Sequence, residues 1–150
     1  MTVTADRTIR VGQLQLKFLV DDSHGVDSIV MFEFTIPPHA RVPAAHYHRD
    51  VDETVYGFEG TITSTVGERT VEVRPGETLV IPRGMVHCWQ NVHDTTARGL
   101  VTLTPGSITR RYFEEVAEVA NAPGKPDLQK IRDIMLRYGL IPVQGDASGR

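Results

Sequence analysis

Between Ile9 and Pro105 short runs rich in β-branched and aromatic residues follow one another, separated by turn residues. The runs are Ile9 to Val20, Ser28 to Ile36, Glu53 to Gly60, Thr61 to Val66, Arg69 to Val73, Glu77 to Pro82, His87 to Val92 and Arg98 to Pro105. In the first, Val11, Leu14 and Leu16 are apolar among polar neighbours, the alternation of a half-buried strand. Gly67, Pro75-Gly76 and Gly84 punctuate the later runs as turns. Many short strands at close spacing predict an all-β fold, a sandwich or barrel in which each strand buries one face.

The last third changes period. In "RRYFEEVAEVA", Phe113, Val116, Ala117 and Ala120 lie on one helical face. "APGKP" breaks the pattern, and Leu128, Ile131, Met135 and Tyr138 then form a second apolar stripe, with Gly139 placed to cap it. Residues 1–108 are thus expected to form the β-domain. Residues 109–143 should form two short helices packed on its outside or on a partner subunit, and 144–150 a disordered tail.

Several function classes are disfavoured. The 16 basic residues are spread along a chain of net charge -3, without the block or arm that nucleic-acid binding needs. No apolar run is long enough to span a bilayer, so no membrane partner is expected. The start "MTVTADRTIR" has no secretory apolar stretch, and Cys88 is the only cysteine, so no intrachain disulfide can form. A reducing cytoplasm is the expected location.

The residues that carry chemistry fall in two stretches. In "HYHRDVDETVYGFEG", His46 and His48 are two apart and share a strand face, Glu53 begins the next strand, and Gly60 permits a tight turn. In "GETLVIPRGMVHCWQN", Gly76 sits in a Pro-Gly turn, Pro82 and Gly84 bracket a bend, and His87 opens a strand with Asn91 four residues on. These stretches resemble the two motifs of the cupin superfamily. The first has the form G-x5-H-x-H-x3/4-E-x6-G, matched by His46, His48, Glu53 and Gly60, with Ala40 in place of the leading glycine. The second, G-x5-P-x-G-x2-H-x3-N, is matched by Gly76, Pro82, Gly84, His87 and Asn91. Only 15 residues separate the two. A spaced pair in the right order is more specific than either motif alone.

The resemblance implies a double-stranded β-helix (jelly-roll) barrel, often dimeric, and a homodimer is expected here. It also implies that His46, His48, Glu53 and His87 bind one divalent metal ion per chain. The donor types agree independently: three imidazoles and a carboxylate suit Fe, Ni, Mn, Cu, Co or Zn, whereas calcium prefers oxygen alone. Many family members with this set are oxygenases, and "TPGSITRRYFEEVAEV" resembles single-domain relatives of the quercetinase (flavonol dioxygenase) enzymes. The expected activity is a dioxygenase acting on a small enolic, phenolic or aromatic substrate, with Glu53 as both ligand and catalytic base. Alternatives are non-redox isomerase, lyase or cyclase chemistry, and a non-catalytic barrel that binds a small molecule.

Other residues are less informative. Asp52 should point away from Glu53's face, and Cys88 away from His87's. His24, His39 and His93 read as loop or surface residues, and Arg83 as a turn residue near the mouth. Of the large apolar residues, Phe34 and Trp89 are candidates for a substrate pocket, and Asn91 joins them because it shares His87's parity. Tyr56 has the wrong parity. An apolar, aromatic-lined pocket suits a small flat substrate better than a phosphorylated sugar.

Overall fold

In the computed structural model, which describes residues 7–42 and 44–143, every expected run contains a strand. One expected strand is two. Ile9 to Val20 folds back at Gly12-Gln13 into β1 (Thr8–Val11) and β2 (Leu14–Val20), with Val11 opposite Leu14. Gly12 sits at φ 58°, a left-handed conformation that a side chain resists and a two-residue hairpin requires. The remaining strands are β3 (Val30–Ile36), β4 (His46–His48), β5 (Asp52–Glu59), β6 (Ile62–Val66), β7 (Arg69–Val73), β8 (Thr78–Ile81), β9 (His87–Gln90) and β10 (Ala97–Thr104). Two helices, α1 (Arg110–Ala120) and α2 (Leu128–Arg137), lead into a last short strand, β11 (Leu140–Pro142).

The strands form two antiparallel sheets of order β1-β2-β3-β10-β5-β8 and β11-β4-β9-β6-β7. This is the expected jelly-roll architecture, as two facing sheets rather than a hydrogen-bonded closed barrel. Alternation sets the inner face: Val30, Phe32, Phe34 and Ile36 of β3 are buried, as are Ala97, Val101 and Leu103 of β10. Gly99 interrupts the β10 series because a Cβ there would come within 2.7 Å of Ile62 and 3.0 Å of the Phe34 ring. Gly60, the last residue of the first motif, has φ 62°, and a Cβ on it would meet the Thr96 carbonyl oxygen at 2.3 Å.

The helices extend the core. Phe113 of α1 packs against Phe18 and Phe32, with ring centroids 5.4 and 5.2 Å away. The buried face of α1 is Tyr112, Val116, Ala117 and Val119, rotated slightly from the expected stripe. In α2, Ile134 and Met135 are buried while Leu128, expected in the stripe, is 71% exposed. Gly139 follows α2 as expected, and the chain then enters β11, which sequence periodicity did not foresee. β11 pairs with β4 along its whole length, Leu140 opposite His48 and Pro142 opposite His46. Among the described residues no helix is long and apolar enough to cross a membrane. The expected tail 144–150 lies outside the described residues.

One buried charge fixes α1 at the end of β2. Asp21 is fully buried and accepts hydrogen bonds from the Arg7 guanidinium at 3.0 and 3.1 Å, from the Ser23 backbone at 3.0 Å and from the Ser23 hydroxyl. Arg110, the first residue of α1, lies 3.5 Å from the carboxylate and His24 3.3 Å. Burial alone would raise the Asp21 pKa, but the hydrogen bonds from Ser23 and Arg7 outweigh it and hold it below the usual carboxylate value. A depressed folded pKa stabilises the protein above the ordinary aspartate value and ceases to do so as the pH falls through the lower folded value. Asp21→Ala leaves Arg7 and Arg110 without their shared carboxylate and should lower stability by about 2–3 kcal/mol at pH 7. Chemical denaturation should show the gap between wild type and variant narrowing under acid; a gap independent of pH would mean that the carboxylate charge is not what stabilises this end.

Candidate metal centre

Alternation along β4 turns both His46 and His48 inward. β4 pairs with β9 at one position, and there His46 is directly opposite His87. The two motifs therefore meet as cross-strand neighbours within one sheet. Glu53 arrives from the other sheet, on β5, where Leu103 and Ile81 flank it in register.

The donor atoms converge. Nε2 of His46 lies 3.2 Å from Nε2 of His48, and Glu53 Oε2 lies 3.2 Å from His87 Nε2 and 3.7 Å from His48 Nε2. One nitrogen from each imidazole falls within 4.8 Å of the others. Hydrogen bonds on the far side of two rings fix which nitrogen faces inward. His46 Nδ1 is 3.0 Å from the Ala44 carbonyl oxygen, and His87 Nδ1 is 3.0 Å from that of Met85. A ring that donates from Nδ1 presents the Nε2 lone pair to the centre.

The electrostatics follow from burial and proximity. Burial pushes the His48 pKa down, its histidine neighbours add to this, and Glu53 opposes it, leaving about 4. Burial and the charge of His87 lower His46 as well. Burial opposes charge on Glu53 too, yet the close approach of His87 holds its carboxyl below the ordinary value. His87 is raised by the same partnership, against its own burial. An anionic carboxylate therefore sits among two imidazoles held neutral.

The fit to a metal can be tested on one atom. His87 Nε2 is buried and has no aligned hydrogen-bond partner, although Glu53 Oε2 is close. Unsatisfied buried nitrogens are costly and uncommon. Three inward nitrogens and one carboxylate oxygen around a common point suit a divalent transition metal, which would satisfy that nitrogen and neutralise Glu53.

The site borders a cavity of about 740 Å³ whose walls are largely apolar. His46, His48 and Glu53 line it. Of the expected pocket residues, Phe34 and Trp89 are in the wall, their rings edge to face at 5.8 Å. Asn91 is not. Its side-chain amide donates to the carbonyls of Ile36 and Thr95 and its oxygen accepts from the His93 backbone, so it knots two loops together. Tyr112, Val116, Ile131 and Met135 from the two helices complete the wall. The sequence marks Val116, Ile131 and Met135, though not Tyr112, as stripe residues, expected to pack on the outside of the β-domain or on a partner subunit.

The other candidates lie elsewhere. Asp52 points out and is clamped by Arg83 at 2.9 and 3.1 Å. His93 pairs with Glu72 and His39 with Asp94. The Cys88 thiol is directed to the Val42 carbonyl, and burial pushes its pKa up, the opposite of an activated nucleophile.

The model of the cupin domain matches residues 32–103, which contain all four donors. Together with the two-sheet fold, this identifies residues 32–103 as a cupin domain. No curated protein sequence matches it significantly. Among solved structures, it is similar to the polyketide cyclase RemF from Streptomyces resistomycificus, with 28% identity over 69% of this chain and 79% of that one and a TM-score of 0.61. A sugar phosphate isomerase from Silicibacter pomeroyi is 25% identical over 63% of this chain, with a TM-score of 0.56. The chain spans only 60% of that protein. A double-stranded beta-helix protein from Klebsiella pneumoniae, 16% identical with a TM-score of 0.56 over 65% of this chain and 82% of that one, shares the fold alone.

Replacing both His46 and His87 by alanine removes two of four donors. Plasma mass spectrometry of freshly purified protein should find metal near one per chain in the wild type and none above background in the double variant. Undiminished metal in the variant would remove the assignment.

Proposed function

We propose that this chain is a metal-dependent dioxygenase acting on a flat, apolar organic substrate that carries an enolic or phenolic oxygen. The observation that carries this reading is that His46, His48 and Glu53 line a largely apolar cavity that Phe32, Phe34, Trp89, Tyr112 and Phe113 also line. Such a cavity gains binding energy from rings and aliphatic surface, at about 25 cal/mol per Å² buried, and offers few hydrogen bonds along its walls. Among the described residues its cationic lining besides the histidines is limited to Arg41 and Arg132.

Bound by His46, His48, Glu53 and His87, a redox-active divalent metal would supply electron exchange with dioxygen as well as Lewis acidity. The protein's own part is to orient and to manage a proton. Phe34 and Trp89 hold a flat ring system against the donor end. The Glu53 carboxylate accepts the proton from the substrate's hydroxyl. The apolar walls keep bulk water from the ionised substrate. In the overall reaction both atoms of dioxygen enter the product, and the substrate supplies the four electrons, so no external reductant is required.

A second reading is favoured by one observation, the 28% identity to RemF, which is a polyketide cyclase. In that reading the same donor end polarises a carbonyl and Glu53 removes a proton to form an enolate, with no change of oxidation state. An oxygen electrode separates the two. With metal-loaded protein and a panel of flavonols, catechols and cyclic enols, the dioxygenase consumes dioxygen in molar proportion to substrate, and the His46→Ala/His87→Ala variant consumes none. Turnover that proceeds equally under strict anaerobiosis would replace the first reading by the second.

A further inference from the structure

Trp89 does more than line the cavity. It is the chain's one tryptophan, it lies two residues beyond His87 on the same face of β9, and it is 7% exposed. Its indole Nε1 donates a hydrogen bond to Glu53 Oε1 at 3.0 Å, across the space between the two sheets. Glu53 is itself 5% exposed, and among the described residues Trp89 is the hydrogen-bond donor to Oε1. The opposite oxygen, Oε2, is the one that faces the imidazoles of His87 and His48. Phe34 packs edge-on to the indole and leaves its plane little room to turn.

We infer that Trp89 is the positioning residue of the metal centre: its indole N–H holds one carboxylate oxygen of Glu53 so that the other is presented to the metal. The inference rests on the metal-centre reading and adds a residue to it. A free carboxylate can rotate about its last bond and bind a metal through one oxygen or both. A fixed donor on Oε1 removes that freedom, in the way that outer partners of metal ligands commonly tune affinity. The indole is suited to this because its N–H only donates, so it cannot compete for the metal.

The test compares wild type, Trp89→Phe and Glu53→Gln, with zinc and cobalt as probes. Trp89→Phe keeps a ring against Phe34 and deletes only the donor. Its zinc dissociation constant, measured by chelator competition, should rise about 10- to 100-fold. The visible absorption of the cobalt-loaded variant should shift relative to wild type, reporting altered carboxylate coordination that a packing defect alone would not produce. Wild-type affinity and an unchanged cobalt spectrum in Trp89→Phe, with Glu53→Gln impaired, would overturn the positioning role and leave the metal centre standing. Failure of the wild type to take up either metal would overturn both. Should Trp89→Phe not fold, the wild type still decides. Its single indole cross-peak in a nitrogen–proton NMR spectrum moves on adding one equivalent of zinc if the inference holds, and stays in place if it does not.

Discussion

Everything in the site depends on a carboxylate from one sheet meeting imidazoles from the other. Glu53 is carried by β5, and the histidines by β4 and β9, which share no backbone hydrogen bonds with it. An ionised carboxylate in a dry interior is expensive unless paired and hydrogen-bonded. Glu53 has His87 and His48 on one oxygen and Trp89 on the other. The register of both sheets serves this meeting. β5 is held on each side, by β10 and β8, so Glu53 cannot slide. A slip of one residue would turn Thr54 inward and send the carboxylate to solvent. β4 is only three residues long and touches β9 at a single pair. Its other edge would be open but for β11, which the chain brings back after the helices. The C-terminal segment thus reaches the metal centre through backbone pairing, without supplying a donor.

How much of this was legible in the sequence varied with the range of the interaction. Alternation is local, so the strands and the inward facing of His46, His48 and His87 could be read directly. The motif spacing carried Glu53. What could not be read was what each face would meet. The apolar stripes of α1 and α2 are the same whether they pack outside a sheet or roof a cavity, because helical period says which face is apolar and nothing about its partner. β11 is too short to show a period at all. Asn91 shares His87's parity, but β9 ends at Gln90, and beyond it the parity rule lapses and the side chain turns to backbone carbonyls. The split at Gly12 was missed because alternation on either side of a two-residue turn resembles one continuous strand.

The cavity and its polar end divide the work of recognition unequally. Apolar walls bind by area and shape, which sets size and flatness but leaves a ring free to slide and flip. Orientation has to come from the polar groups, which are the donors together with Gln13, Arg41, Gln129 and Arg132 in the lining. The low-dielectric surroundings strengthen every charge interaction there. They also make His48, with its pKa pressed to about 4, a neutral ligand across the physiological range. Metal binding to such a ring need not first expel a proton. His87, raised by Glu53, is the exception, and the pair exchanges one strong partner for another when a cation enters.

The division also falls along the chain. All four donors, Phe34 and Trp89 lie within residues 32–103, the segment matched by the cupin domain model. Tyr112, Val116, Ile131 and Met135 lie after it, yet they form a wall of the same cavity. One fold hosts many chemistries because the reactive end and the walls can change independently. Similarity over the shared segment therefore speaks to the donor end. It speaks weakly to the substrate, whose outline is drawn partly by helices that the shared segment does not include. For this chain the helical wall is mostly apolar and aromatic, with Gln129 and Arg132 of α2 also in the lining, so much of what shapes the cavity lies outside the matched segment.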